Sequence, residues 1–156
     1  MKRERETKRR GDGVTGRRGD RASRRGHRLP DFVQEILRPY FPDFDLDRVR
    51  IREGIPWYVL MDADGYTDRQ TIYLKPEHYD PETVSGLSLL AHEVTHCRQY
   101  HAHGTWRFRA KYLGAWLREL RRTHSLTQAY LNIPFEIEAR AIEYRVYEAL
   151  CQRLPR

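Results

Sequence analysis

The stretch His92-Glu93-Val94-Thr95-His96 has the pattern H-E-x-x-H and lies within a largely apolar run. Residues four apart share one face of a helix, so a helix here would present both imidazoles to one metal ion. Zinc accepts neutral imidazole nitrogens, and catalytic zinc sites keep one position open for water. Glu93 would lie beside that water and take its proton as the water attacks a carbonyl. The pattern therefore predicts a zinc helix with His92 and His96 as ligands and Glu93 as general base.

An alternative is that the two histidines lie on a solvated helix face and bind nothing. The neighbouring residues argue against this interpretation, because the run at 87–91 (Leu-Ser-Leu-Leu-Ala) and the later Val94 and Cys97 predict a buried helix. Two histidines and a glutamate without partners would be costly in such surroundings. Cys97 itself is expected to pack as a small apolar residue.

Two histidines need a third protein ligand to hold a catalytic zinc ion. The long metzincin pattern would need a histidine at position 102, which is alanine, so that class is excluded. His101 and His103 follow closely, but His103 would lie roughly 10 Å beyond His96 along a continuous helix, at ~1.5 Å per residue. Both are expected to lie exposed at the helix end.

A helix predicted from Pro134 offers a better third ligand, Glu136, which lies in its first turn beside the apolar Phe135. The small Ala139, one turn later, would allow a close approach to the metal helix. Glu138 is rotated by about 200°, at ~100° per residue, so only one of the two glutamates can face the metal. An acid is also favourable at a helix N-terminus without any metal, which is the alternative explanation. We predict Glu136 as the third ligand.

Charge divides the chain of 156 residues into two parts. Residues 1–28 hold 12 lysines and arginines against 4 acids, whereas residues 29–156 hold 17 against 18. The first part has almost no apolar residues to offset the entropy of ordering, so it is predicted to be a disordered basic tail. Residues 29–156 are predicted to form one domain. No segment has the character of a secretory signal or a membrane span, and two cysteines define no disulfide framework, so we expect a cytoplasmic protein without a membrane partner.

The basic tail has two interpretations, a solubilising arm and a weak contact with nucleic acid or another polyanion through charge alone. If charge acts alone, binding to an oligonucleotide should ignore base sequence and weaken steeply between ~50 and ~200 mM salt. Removing residues 1–28 should abolish that binding and leave the melting temperature nearly unchanged, because a disordered arm buries little surface. Mobility-shift titrations at several salt concentrations would measure the first effect. A large drop in melting temperature would show instead that the tail packs on the domain.

The remaining elements are predicted from apolar spacing and turn residues. Helices are expected at 30–37, from Asp80 to about Gly104 (the metal helix), at 105–122, after Ser125 and at 134–150. Strands are expected near 49–51 and at 55–61 and 70–74, with a hairpin turn at 62–65. The core-facing residues of the helix at 105–122 are expected to be Trp106, Ala110, Leu113, Trp116, Leu117 and Leu120. This order of elements predicts an α+β domain.

The two predicted ligand helices resemble those of a known family. The phrase at 91–100 (AHEVTHCRQY), followed by Glu136-x-x-Ala139, is similar to the glutamate zincins, short bacterial metallopeptidase-like domains such as the DUF4157 domains and the minigluzincins. The resemblance covers residues 68–148. It implies a zincin-like fold in which a small antiparallel sheet packs on the HExxH helix and a C-terminal glutamate helix, with 71–74 as the strand along the substrate cleft. M48-type peptidases have an acid after the alanine of the glutamate helix, where this chain has Arg140.

These observations predict a zinc metallopeptidase that acts on a peptide or protein, with a tyrosine stabilising the oxyanion. The candidates for that role are Tyr100, Tyr112, Tyr130 and Tyr144. The first rival is a zinc-binding domain without turnover that serves in an assembly. The second is a polyanion-binding module that acts through residues 1–28.

Overall fold

The computed structural model describes residues 26–57, 59 and 64–153, and the predicted α+β class is confirmed there. The helices of this part are α1 (Asp31–Leu37), α2 (Val84–His103), α3 (Thr105–Thr123), α4 (Leu126–Leu131) and α5 (Pro134–Arg153). Its strands are β1 (His27–Arg28), β2 (Arg50–Glu53), β3 (Gly65–Asp68) and β4 (Thr71–Leu74). The two helices that were predicted to carry the metal ligands, α2 and α5, are therefore both long and both close to their predicted positions.

The sheet has the order β1-β2-β4-β3 and is mixed, so the predicted antiparallel sheet is wrong for one pair. β2 runs parallel to β4, with Ile51 opposite Ile72, whereas β3 and β4 are antiparallel, with Thr67 opposite Ile72. The chain passes from β2 to the far edge, forms β3 there and returns as β4 between the two. Consequently β4 (71–74) is an inner strand, and β3 lies at the edge of the sheet opposite β1.

The segment between β2 and β3 differs from its prediction. Residues 55–57 and 59 are not in a strand, and the rest of the strand predicted at 55–61 lies outside the described residues. Gly65 already belongs to β3, and residues 62 and 63 of the predicted turn lie outside the described residues. The hairpin turn is at 69–70 instead, where Arg69 has a positive φ of 59°.

α2 is buried along most of its length and forms the centre of the domain. The predicted start was Asp80-Pro81-Glu82, but α2 begins at Val84, where the Thr83 hydroxyl accepts a hydrogen bond from the amide of Gly86 and caps the helix. It ends at Gly104, whose φ of 74° suits glycine and turns the chain into α3. The core that surrounds α2 combines apolar residues of α1, the sheet and α5: Val33, Leu37, Ile51, Ile72, Leu74, Leu90, Val94, Ile142 and Val146.

α3 packs on the domain through a different face from the one predicted. Phe108 and Ala115 are buried, whereas Trp106, Leu113 and Leu117 are exposed. The prediction that the latter three face the core is therefore wrong. Both faces of this helix carry apolar residues at helical spacing, so periodicity alone could not choose between them.

The start of the described chain also differs from its prediction. His27 and Arg28, which were assigned to the disordered tail, form β1 and pair with Ile51 and Arg50. The rest of the tail, residues 1–25, lies outside the described residues. Within the described part of the chain, no helix combines the length and the apolar content that crossing a bilayer would require.

Candidate metal centre

His92, His96 and Glu136 lie together, as the sequence predicted. One ligand atom from each of the three side chains lies within 4.8 Å of the others. α2 supplies both histidines from adjacent turns, and the first turn of α5 brings Glu136 against them. The three side chains are almost completely buried.

The spacing of the three side chains fits a tetrahedral zinc ion. The two Nε2 atoms are 3.2 Å apart, and they lie 3.4 Å (His92) and 3.3 Å (His96) from the carboxylate oxygens of Glu136. Two atoms that each bind zinc at ~2.0–2.1 Å with a tetrahedral angle are separated by roughly 3.3 Å. Moreover, Oε2 of Glu136 is buried and has no hydrogen-bond donor among the described residues. The residues present therefore fit a metal ion of this size.

Each histidine is oriented by a second side chain at its other ring nitrogen. Nδ1 of His92 lies 2.8 Å from Oε2 of Glu143, and a carboxylate can only accept, so Nδ1 carries the proton. Nδ1 of His96 lies 2.8 Å from Oε1 of Gln99, whose amide nitrogen donates to the backbone oxygen of Phe135 at 3.0 Å. In the neutral form of each ring, Nε2 then carries the lone pair, and the two Nε2 atoms lie close enough for one cation to bind both.

Sequence analysis missed Glu143 and Gln99, although both left a signal. Glu143 lies seven residues after Glu136, which places the two carboxylates on one face of α5, and Gln99 lies one turn after His96. Glu143 thus supports His92 through its carboxylate. Arg140 instead donates to the backbone oxygen of Leu131.

We expect Glu143→Gln to weaken metal binding by about 10–100-fold, because the charge that orients and polarises His92 is lost while the ligand set stays intact. Titration against a chromogenic chelator would measure the affinity. Glu148→Gln removes the same charge from an exposed position of α5 and provides the matched control. Equal affinities of the two variants would contradict the supporting role of Glu143.

The carboxylates around the two imidazoles favour positive charge at this location. Burial by itself lowers the pKa of His92, but the polar contacts with Glu136 and Glu143 and the charge of Glu93 outweigh it and raise that pKa to about 10. Burial also lowers the pKa of His96, but the polar contact with Glu136 and the charges of Glu93 and Glu136 outweigh it and raise that pKa. Burial opposes ionisation of Glu136, yet the two histidines hold the pKa of its carboxyl group below the usual range.

Glu93 is held beside this cluster by the edge strand β3. The hydroxyl of Thr67 donates to Oε2 of Glu93 at 2.6 Å, and both side chains are buried. Gly65 lies above the other carboxylate oxygen, and a methyl group at that position would be 2.6 Å from Oε1. A side chain at residue 65 would therefore force the Glu93 carboxylate to move from this position. Neither contact was predicted, because the order of the sheet was not known.

Two cavities open beside the cluster, and His92, Glu93, Gly65 and Tyr130 line both. The first, of about 280 Å³, has aromatic walls that include Tyr66, Tyr100, Phe108 and Tyr112. The second, of about 460 Å³, lies on the side of Trp116 and Leu126. A ligand can thus reach Glu93 and the metal position from solvent.

The four tyrosines proposed as oxyanion donors differ in their contacts and in their distance from the cavities. The Tyr112 hydroxyl donates to Oε1 of Glu136 at 2.7 Å and is thereby occupied. Tyr100 packs on Phe108 in the wall of the first cavity, and Tyr144 is 61% exposed and outside both cavities. Of the four, Tyr130 alone lines both cavities, next to Glu93, and its hydroxyl also interacts with Glu136.

The residues rejected as ligands lie outside the cluster. His101 packs near Phe44 and His103 near Phe135, at ring-centroid distances of 5.7 and 5.4 Å. Glu138 has a role that the sequence did not reveal, because it accepts a hydrogen bond from the Gln99 amide nitrogen at 2.7 Å. It therefore helps to fix the amide that orients His96.

Comparison with known proteins gives a family match over about half of the chain. Residues 28–104 match the family of the eCIS core domain. This family is DUF4157-like, which agrees with the resemblance predicted from residues 91–100. The match extends from β1 to the end of α2, so it includes His92, Glu93 and His96 and stops before Glu136. No curated protein and no solved structure gave a significant match to the chain.

Proposed function

We propose that this domain is a zinc-dependent peptidase with a zincin-like site, in which His92, His96 and Glu136 hold the metal and Glu93 acts as general base. The observation that supports this most is the position of Glu93. Its carboxylate is fixed by Thr67 next to the two imidazoles and borders both cavities. A purely structural metal site closes its coordination with protein ligands and has no use for a positioned base.

The chemistry of the proposed reaction follows from the place of each side chain. Zinc, when bound, would polarise the substrate carbonyl and lower the pKa of water. Oε1 of Glu93 accepts the proton of the attacking water, since Oε2 accepts from Thr67. After the attack, the same carboxyl group delivers the proton to the leaving amine.

The edge strand β3 supports a peptide as the substrate. The amide of Lys75 donates to the oxygen of Asp64, so positions 64, 66 and 68 form the hydrogen-bonded pairs with β4. The backbone groups of Gly65 and Thr67 then face away from β4, directly above Glu93. An extended peptide that added itself to this edge would bring its carbonyls to the metal position.

We expect Tyr130→Phe to lower kcat by about 10²–10³-fold if its hydroxyl donates to the oxyanion, with metal content unchanged. Tyr144→Phe removes a hydroxyl outside the cavities and should leave kcat unaltered. Steady-state rates on one peptide substrate would compare the two variants. A rise in KM at constant kcat would contradict a role of this hydroxyl in the transition state.

The proposal is tested with metal analysis and an unbiased peptide library. The full chain should contain about one zinc per molecule and cleave a subset of the library, and chelation should stop cleavage until zinc is restored. Zinc without cleavage of any peptide would support the rival, a zinc-binding domain that serves in an assembly. Cleavage that survives complete removal of the metal would overturn the proposal.

A further inference from the structure

α3 carries a second apolar face, opposite the one that packs on the domain. On the inner side, Phe108 packs on Tyr100 and Phe135, with ring centroids 4.1 and 4.8 Å apart, and Ala115 is buried. The Tyr112 hydroxyl binds Glu136. These contacts fix the rotation of the helix about its axis, so the opposite side must face solvent.

The outward face has the spacing of a helix-packing seam. Its members follow one another in steps of four, three, four and three residues: Trp106, Ala110, Leu113, Leu117 and Leu120. Trp106 is 81% exposed, Leu113 54% and Leu117 38%. Alternating steps of four and three place apolar residues along one line, where a second helix can pack. None of these residues lines either cavity beside the metal cluster.

Three of the positions that flank this seam carry a positive charge. Among the six lysines and arginines of α3, Arg107, Arg109 and Arg121 lie next to the seam, and the one acid of the helix, Glu119, faces inward to Asn132. Arg109 pairs with Asp68 at 2.8 Å. Within the described residues, Arg107 and Arg121 have no carboxylate at ion-pair distance. Charges at such flanking positions select the partner helix.

The charges disfavour two occupants that the chain itself could supply. A second copy of α3 would bring a helix with six basic residues and one acid against another of the same kind. Residues 1–28 are basic as well and almost free of apolar residues. We propose that the outward face of α3 docks an acidic amphipathic helix of a partner protein, with apolar residues at the same spacing and Asp or Glu beside them.

The test uses the full chain and two synthetic helical peptides of about three heptads. Both peptides have leucine at the seam positions, and one has glutamate and the other lysine at the flanking positions. Fluorescence anisotropy should show binding of the glutamate peptide at least tenfold tighter than binding of the lysine peptide. Raising the salt concentration should reduce this preference, because it screens the exposed charges.

Variants of exposed residues locate the binding to the proposed face. Leu113→Gln/Leu117→Gln should weaken binding of the glutamate peptide at least tenfold, and Arg107→Glu/Arg121→Glu should shift the preference toward the lysine peptide. Lys111→Gln removes a charge from α3 away from the seam and should have little effect. Circular dichroism and metal content should be unchanged in all three variants, since these side chains are exposed.

Several results would overturn the proposal. One is no binding of the glutamate peptide, and another is equal binding by the wild type and Leu113→Gln/Leu117→Gln. Sedimentation velocity that shows a dimer, dissolved by the same double variant, would identify a second copy as the occupant. Binding to phosphatidylserine vesicles without binding to the peptide would identify a membrane surface.

Discussion

Replacing Glu93 with glutamine is expected to reduce peptide hydrolysis by about 10²–10⁴-fold while the chain still binds about one zinc ion. Glutamine has nearly the same shape and can still accept the hydrogen bond from Thr67, which is 2.6 Å long in the wild type. Its amide cannot take a proton from water at neutral pH. The variant therefore tests the role of the base independently of metal binding. Measurement of kcat reports on the base, and metal content reports on the metal site.

A control for charge alone is Glu77→Gln, because Glu77 is exposed and belongs to neither cavity. Its activity should match the wild type. If Glu93→Gln kept a tenth or more of the wild-type kcat with full metal occupancy, Glu93 would not be the base. A loss of metal in Glu93→Gln would instead assign this carboxylate to the cluster itself.

Replacing Glu136 with alanine is expected to lower zinc affinity by more than the 10–100-fold that loss of a supporting residue costs. The change removes one of three protein ligands and leaves the Tyr112 hydroxyl without its acceptor. His92→Ala or His96→Ala should have a similar effect, since each also leaves two ligands. Equilibrium titration against a competing chelator would measure all three variants.

Glu138→Ala and His101→Ala/His103→Ala provide the comparison for Glu136→Ala. The double histidine variant should bind zinc almost normally, because both side chains lie outside the cluster. Glu138→Ala should have a small effect, of about tenfold or less, through the contact with Gln99. A larger loss in either than in Glu136→Ala would show that the third ligand had been assigned wrongly.

Local spacing was enough to predict that His92, His96 and Glu136 lie together, but not the surroundings of Glu93. The i, i+4 relation of His92 and His96 is a property of one helix, and Glu136 follows from its place in the first turn of another. Thr67 and Gly65, by contrast, reach Glu93 only because β3 is the edge strand. That order depends on the path of the chain between β2 and β4, which short-range patterns do not encode.

α3 shows a second way in which periodicity is incomplete. Its apolar residues form two lines on opposite sides, one through Phe108 and Ala115 and one through Leu113 and Leu117. Each line alone satisfies the pattern of a buried helix face. The inner line was decided by partners outside α3, Tyr100 and Phe135, so the sequence of α3 could not distinguish the two.

In the proposed site, metal occupancy and folding are one equilibrium. His96 and Glu136 are distant in sequence and belong to different helices, so an unfolded chain has no preformed site and a bound ion would act as a removable cross-link between α2 and α5. Free metal at a hundred times its dissociation constant would then add about 2.7 kcal/mol to the free energy of unfolding. A substitution anywhere in the chain that weakens the packing of α5 on α2 would therefore first lower the affinity for the metal.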